Sequence, residues 1–344
     1  MKSFVTQVCA SVAACALALP AMAQSCLGDL NADREVTGAD LGILLGQWGQ
    51  AGSGDLDGNG SVGGADLGLM LGAWGYCPVT VPSWATLVEA QPNAAIVTDP
   101  ALRIAITATG LAWRVRDTGT QIEMMLIPPG TFVMGCSMGS NQYACESREL
   151  PIHQVTLTNA FYLGRYEVTQ AEWTARMGAN PSYWFIFADS PSRPVERVSW
   201  ITVQDFLSNT GTRLPTEAEW EFACRAGTTT PFYNGSRVDS TLATLAWCGL
   251  NSGLQTHAVG GKAANGFGLH DMLGNVWEWV NDWYGSYTPE PQTNPVGPGG
   301  ATGFRVKKGG GYANAANVAR SSTHSGTWPD SSADHTGFRV ARNP

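Results

Sequence analysis

Two loops near the start of the chain carry oxygen-bearing side chains at intervals that suit a hard cation. Residues 29–49 and 55–75 form an ungapped repeat, offset by 26, in which Trp48 matches Trp74. The first copy presents Asp29, Asn31 and Asp33 at alternate positions, and the second presents Asp55, Asp57 and Asn59. An acid closes each loop, Asp40 in one and Asp66 in the other. A single chain wound round calcium needs oxygens at loop positions 1, 3 and 5 and a closing carboxylate at 12, with glycine at the sharp turn of position 6. Gly60 fills that turn in the second loop, and Arg34 stands there in the first, which weakens it. The apolar residues that follow (Leu41, Ile43, Leu44 and Leu45, then Leu67, Leu69, Met70 and Leu71) suit a short helix packing on its twin. A pair of acidic turns that bind nothing is the plainer alternative. The duplication at fixed spacing favours calcium.

A second group of acids lies in residues 265–284, where Asp271, Glu278 and Asp282 are set among Trp277, Trp279, Trp283 and Tyr284. So many rings belong in a core, and acids inside a core need partners, of which a cation is the simplest. The thiols are six once an export signal is removed: Cys26, Cys77, Cys136, Cys145, Cys224 and Cys248. Residues 1–23 read as that signal. Lys2 precedes a mostly apolar run from Phe4 to Leu19, and Ala21-Met22-Ala23 offers a small-x-small cleavage site; Cys9 and Cys15 would leave with it. The expected location is therefore secreted, periplasmic or at the cell surface, where disulfides persist. By position the pairs are Cys26–Cys77, Cys136–Cys145 and Cys224–Cys248, although connectivity does not follow from sequence alone. No cysteine has zinc-finger spacing.

Composition bounds the rest. Of 344 residues only 14% are charged, while Gly numbers 41 and Trp 13. That profile suits a compact fold with much irregular backbone. A net charge of -8 without a basic stripe argues against a nucleic-acid partner. After signal cleavage no membrane span is expected.

Residues 78–97 read as a proline-bearing linker to a large domain over 98–344. Alternation at Leu102–Ile106 and Trp113–Arg116 suggests strands, and residues 123–134 suggest two strands around Pro128-Pro129-Gly130. Helices are expected after Thr169, through Phe206, and after Thr216, where Glu219 completes a capping box.

Three stretches carry a family resemblance: Ile127–Gly135 (IPPGTFVMG), Gly268–Trp279 (GLHDMLGNVWEW), and Lys307–Gly311 with Pro329–Ala333 and Gly337–Arg339. In this order they resemble the formylglycine-generating enzyme, or sulfatase-modifying factor, family. The resemblance implies an α+β, C-type-lectin-like fold with low regular secondary structure. It also implies a calcium ion held by the side chains of Asp271 and Glu278 and the carbonyls of Gly274 and Val276. The loop-then-helix repeat over residues 26–77 resembles type I dockerins and implies a small helical, calcium-bound appendage. Dockerins meet cohesins through hydroxyl residues at loop positions 10 and 11; here Gly38-Ala39 and Gly64-Ala65 stand there, which counts against a cohesin partner.

The family's aerobic oxidases convert a sulfatase cysteine to formylglycine with Cu(I) held by a pair of cysteines, a soft-ligand site that suits that ion. Asn314 and Ala319 fall on those two positions, and no cysteine follows Cys248. Copper is therefore not expected, and no catalytic residue is assigned. Other relatives use a histidine-held iron, but the five histidines here show no ligand spacing. The family's structural cysteine after the third helix is matched by Cys224, with its usual partner position at Val340. The segment 311–328 is expected on an exposed face, with Tyr312, Asn314, Asn317, Arg320, His324 and Trp328 as ligand-binding residues. The expected function is a calcium-stabilised, non-oxidase module binding an extracellular protein, peptide or glycan. The alternatives are a sulfatase-maturing oxidase with other ligands and a structural surface protein attached through its repeat.

Overall fold

The structure is a computed structural model and describes residues 26–137, 144–300 and 302–344. The expected signal at 1–23, with Cys9 and Cys15, lies outside the described residues. Two compact units are present: one holds Val36–Pro78 and the residues before Ala32, and the other holds Ala32–Glu35 and Val79–Pro344.

The small unit is built on two helices, α1 (Gly38–Gly46) and α2 (Gly64–Gly72). Thr37 caps α1: its hydroxyl accepts the Ala39 N–H at 3.2 Å while Asp40 accepts the Thr37 N–H at 2.9 Å. Leu44, Met70, Val36 and Val62 form its buried centre. The helices bury less than their composition suggested, since Leu45, Leu69 and Leu71 remain exposed. A disulfide joins Cys26 to Cys77, with Cα atoms 5.4 Å apart.

The large unit carries three sheets. Strands β1 (Ala85–Glu89), β2 (Arg114–Asp117), β3 (Glu123–Ile127) and β6 (Phe161–Gly164), closed by β12 (Ala341–Arg342), make a five-stranded sheet in the order β12-β6-β3-β2-β1. β4 (Gly130–Met134), β5 (His153–Leu157) and β8 (Gln292–Thr293) make a second. The third runs β10-β9-β7-β11, from β7 (Trp277–Trp283), β9 (Arg305–Lys308), β10 (His324–Thr327) and β11 (Thr336–Phe338). Segment 78–97 is not merely a linker, because β1 within it pairs antiparallel with β2. Leu102–Ile106 is helical, not extended: it lies in α3 (Pro100–Ala108). Asp99 accepts the Ala101 N–H at 2.8 Å and Pro100 presets the first helical φ, so the Asp-Pro start overrides the apparent alternation.

The remaining helices begin where their caps required. Thr169 caps α4 (Gln170–Met177), Ser199 caps α5 (Trp200–Thr210), and Thr216 with Glu219 forms the capping box of α6 (Glu217–Arg225). Every residue of α6 except Glu219 is buried, Trp220 among them, so it forms the spine of the core with Trp279, Phe267 and Phe338.

Candidate functional site

β9 runs into a tight turn and the segment 309–324. Lys308 is fully buried, its Nζ 2.9 Å from Glu221 Oε2. At position 314 the side chain is a clamp. Asn314 Oδ1 accepts the Trp277 indole N–H at 2.8 Å and the Gly311 N–H at 2.9 Å. Ala319 is fully buried in the core. A carboxamide committed to two donors and a methyl group offer no soft ligand, so the residues present do not fit Cu(I).

Most of the segment faces inward, contrary to the expectation of an exposed binding face. Tyr312, Arg320, Ser321, Ser322, Thr323 and His324 are buried; Asn317 and Trp328 are exposed and Asn314 lies between. The cause is ionic. Arg320 pairs with Glu149 at 3.0 Å, Ser322 donates to the same carboxylate at 2.8 Å, and His324 pairs with Glu217. With its charges partnered in this way, the segment can lie inside the protein without leaving a buried charge uncompensated. Trp328 lies apart, its ring 4.6 Å from that of Phe304.

Beside this segment is an apolar surface that sequence reading missed. Tyr183, Phe185 and Ile186 are 48%, 59% and 72% exposed. The loop is anchored from within by Trp184, whose ring meets Tyr312 edge-on at 5.7 Å and whose backbone N–H donates to Glu196 Oε1 at 2.8 Å. Arg197 lies over the Tyr183 ring at 5.0 Å. Burial pushes the Glu196 carboxyl up to about 7, and its Oε2 is buried without a partner. Lys307 stands over Trp277 at 5.1 Å, and burial lowers its ammonium to about 8. The signal was available in the run Tyr183-Trp184-Phe185-Ile186-Phe187, too apolar for an ordinary loop.

The acids of 265–284 are partnered differently from expectation. Both Glu278 oxygens are held by Arg339, at 2.7 Å each, and Oε2 also accepts the Trp220 indole N–H at 2.7 Å. A guanidinium on that carboxylate repels a dication, so Glu278 does not fit the calcium role. Asp271 does fit: it is buried, Oδ2 accepts the Gly260 N–H at 2.6 Å, and Oδ1 has no partner. Burial raises its carboxyl to about 6. Glu167 lies in the same cluster, pushed well above the usual range by burial and by Asp271 and Glu278, and accepts the Val276 N–H at 3.0 Å. Gly274 shapes the turn: φ is 80°, and a side-chain carbon there would sit 2.2 Å from the Trp247 carbonyl oxygen.

In the second repeat loop, ligand oxygens of Asp55, Asp57 and Asp66 lie within 4.8 Å of one another. Asp55 accepts the N–H groups of Asn59 and Gly60, at 3.0 and 2.8 Å, which curls the loop. The first loop takes the same backbone shape at a cost: Ala32 and Arg34 have φ of 61° and 67°, where Gly58 and Gly60 have 72° and 96°.

Cys136 and Cys145 form a disulfide, whereas Cys224 and Cys248 are free and buried. The expected Cys224–Cys248 bond is absent because the Cys224 thiol points elsewhere, to Ser321 Oγ at 3.5 Å. The hydroxyl facing the Cys224 thiol is that of Ser321. Burial pushes that thiol up to about 12.

The arrangement around β7, α6 and the 309–324 segment meets its counterpart in known proteins. The pattern of the sulfatase-modifying factor enzyme 1-like domain matches residues 113–344. The chain belongs to this family. Within the sulfatase-modifying factor family it is similar to the formylglycine-generating enzyme of Thermomonospora curvata, 36% identical over 199 residues, 52% of this chain and 63% of that one. It is also similar to the hercynine oxygenase of Mycolicibacterium thermoresistibile, 30% identical over 267 residues, 65% of this chain and 58% of that one. Among solved structures it resembles Treponema denticola variable protein 1, with a TM-score of 0.58 and 28% identity over 65% of this chain and 95% of that one. The family thus spans proteins of different names on one scaffold.

Proposed function

We propose that this member of the sulfatase-modifying factor family is an exported recognition module that lacks the copper–thiolate oxidase function. One observation carries the reading: Asn314 and Ala319 occupy the two thiolate positions, one clamping Trp277 and the other packed in the core. The binding surface is the exposed Tyr183, Phe185 and Ile186, backed by Tyr312 and flanked by Arg197. Exposed rings beside a cation suit an extracellular protein, peptide or glycan. The two disulfides agree with export.

The test is binding of the full chain to peptide and glycan arrays, compared with a Y183A/F185A/I186A variant. Loss of the bound spots with an unchanged melting temperature is expected; identical binding patterns would overturn the assignment. The small unit is read as a dockerin-like, calcium-dependent attachment module, supported by the convergence of Asp55, Asp57 and Asp66 and by the repeat-related exposure of Leu45 with Leu71 and Trp48 with Trp74. Calcium at a hundredfold excess over Kd would stabilise it by about 2.7 kcal/mol. An unchanged melt on adding EDTA would contradict that role.

A further inference from the structure

A pocket of about 210 Å³ opens at the start of α6 and shares no lining residue with the aromatic surface. Its walls include Met134, Glu217, Asp282, Trp283 and Tyr287, with Gly297 packed against Asp282. The two acids differ in how they are compensated. Glu217 Oε1 accepts the Tyr287 hydroxyl at 2.7 Å and pairs with His324 Nδ1. The other ring nitrogen of His324 lies 2.9 Å from the Arg148 carbonyl oxygen, so both ring nitrogens face oxygen atoms. Lys308 Nζ stands 3.8 Å from the same Glu217 oxygen. Although burial alone would raise it, these partners hold the Glu217 carboxyl down at about 2.

Asp282 has no such partner. It is 3% exposed, and its Oδ2 accepts the Glu217 N–H at 2.8 Å. Among the described residues no hydrogen bond reaches Oδ1 and no ion pair forms with Asp282; the Arg305 guanidinium, stacked on Trp283 and donating to the Asn281 carbonyl, acts on it only through space. Oδ1 is turned to the pocket wall, 3.1 Å from where a side-chain carbon on Gly297 would stand. Burial, and then the Glu217 carboxylate, push the Asp282 carboxyl well above the usual range. A buried acid with one open oxygen and an anionic neighbour is stabilised by an arriving cation.

We propose that this pocket binds a primary ammonium group, from a small amine or a lysine side chain, with Asp282 Oδ1 as its anion and Met134 and Trp283 along its methylenes. The volume supports the class, since drug-sized ligands need cavities upward of about 300 Å³. A dehydrated dication would need about six oxygen ligands, whereas here one open carboxylate oxygen faces walls of methionine, tryptophan and proline.

Calorimetry on the full chain tests this with n-butylammonium, n-butanol as its neutral counterpart, and Nα-acetyl-lysine methylamide. Butylammonium is expected to bind about tenfold or more tightly than butanol, and D282N to lose that preference while melting normally. S286W places bulk at an exposed part of the rim, touches none of the buried acids, and is expected to block binding even if D282N fails to fold. Equal binding of the lysine amide identifies a side-chain pocket; binding of butylammonium alone identifies a small-amine pocket. Equal affinity for amine and alcohol, an undiminished preference in a folded D282N, butylammonium binding unaltered in S286W, or calcium binding that D282N abolishes would each overturn the proposal.

Discussion

The stretch 265–284 and the segment 309–324 lie side by side in the large unit, joined by the hydrogen bond from Trp277 to Asn314. In the first, the side chains serve the scaffold: Trp279 donates to the Val198 carbonyl at 2.9 Å, and Glu278, which the family resemblance gave to calcium, is bound on both oxygens by Arg339. In the second, the thiolate positions are gone, and the segment is held in place by Arg320–Glu149, His324–Glu217 and Lys308–Glu221. The difference supports the proposal that the residues specifying this fold and those supplying the family's redox chemistry are separable. In this chain buried ion pairs hold the 309–324 segment in place.

The comparison can be broken at several points. Replacing Arg339 strands Glu278 in the core, together with Asp271 and Glu167. R339M should therefore cost about 3–5 kcal/mol, measured by guanidinium melts, and a near-neutral result would remove Glu278–Arg339 from the scaffold. S321C places a thiol opposite Cys224, now 3.5 Å from Ser321 Oγ. The new disulfide should add about 2–4 kcal/mol under oxidising conditions and lose it with reductant, read as paired melts and a thiol count. N314A removes the acceptor shared by Trp277 and Gly311 and should cost about 1–3 kcal/mol. A loss as large as that of R339M would show that the replaced position is as structural as the retained one.

A pH effect sharpens the boundary at the aromatic loop. Glu196 titrates at about 7 when folded, above its unfolded value near 4.5, so the folded state holds the extra proton between those values. Its contribution is fully present below about 4.5 and is lost as pH rises through 7. E196Q should flatten that part of the stability profile and raise stability at pH 8 by on the order of 2 kcal/mol. A slope unchanged by E196Q would assign the titration elsewhere.

Much of the fold was legible where short-range chemistry dictates it. Thr169, and Thr216 with Glu219, announce their own geometry, because a cap is complete within a few residues. Leu102–Ile106 misled because alternation and helix share apolar spacing over so short a run, and Asp99-Pro100 settled it. The inward path of 311–324 was not legible. Arg320 looks like a surface residue until Glu149, 171 positions earlier, is known to be its partner. Glu278 likewise reads as a metal ligand until Arg339 is seen on both its oxygens, and Ser321 as a bystander until it faces Cys224. Partners distant in sequence are set by tertiary packing, which local pattern does not encode.

The central claim is that the sulfatase-modifying factor scaffold here has no copper–thiolate oxidase site. Incubating the full chain with copper, oxygen and a CxPxR peptide, and following the peptide by mass spectrometry, tests it most directly. The cysteine should remain unconverted while a copper-charged family oxidase converts it in parallel. Formation of formylglycine by this chain would contradict the account.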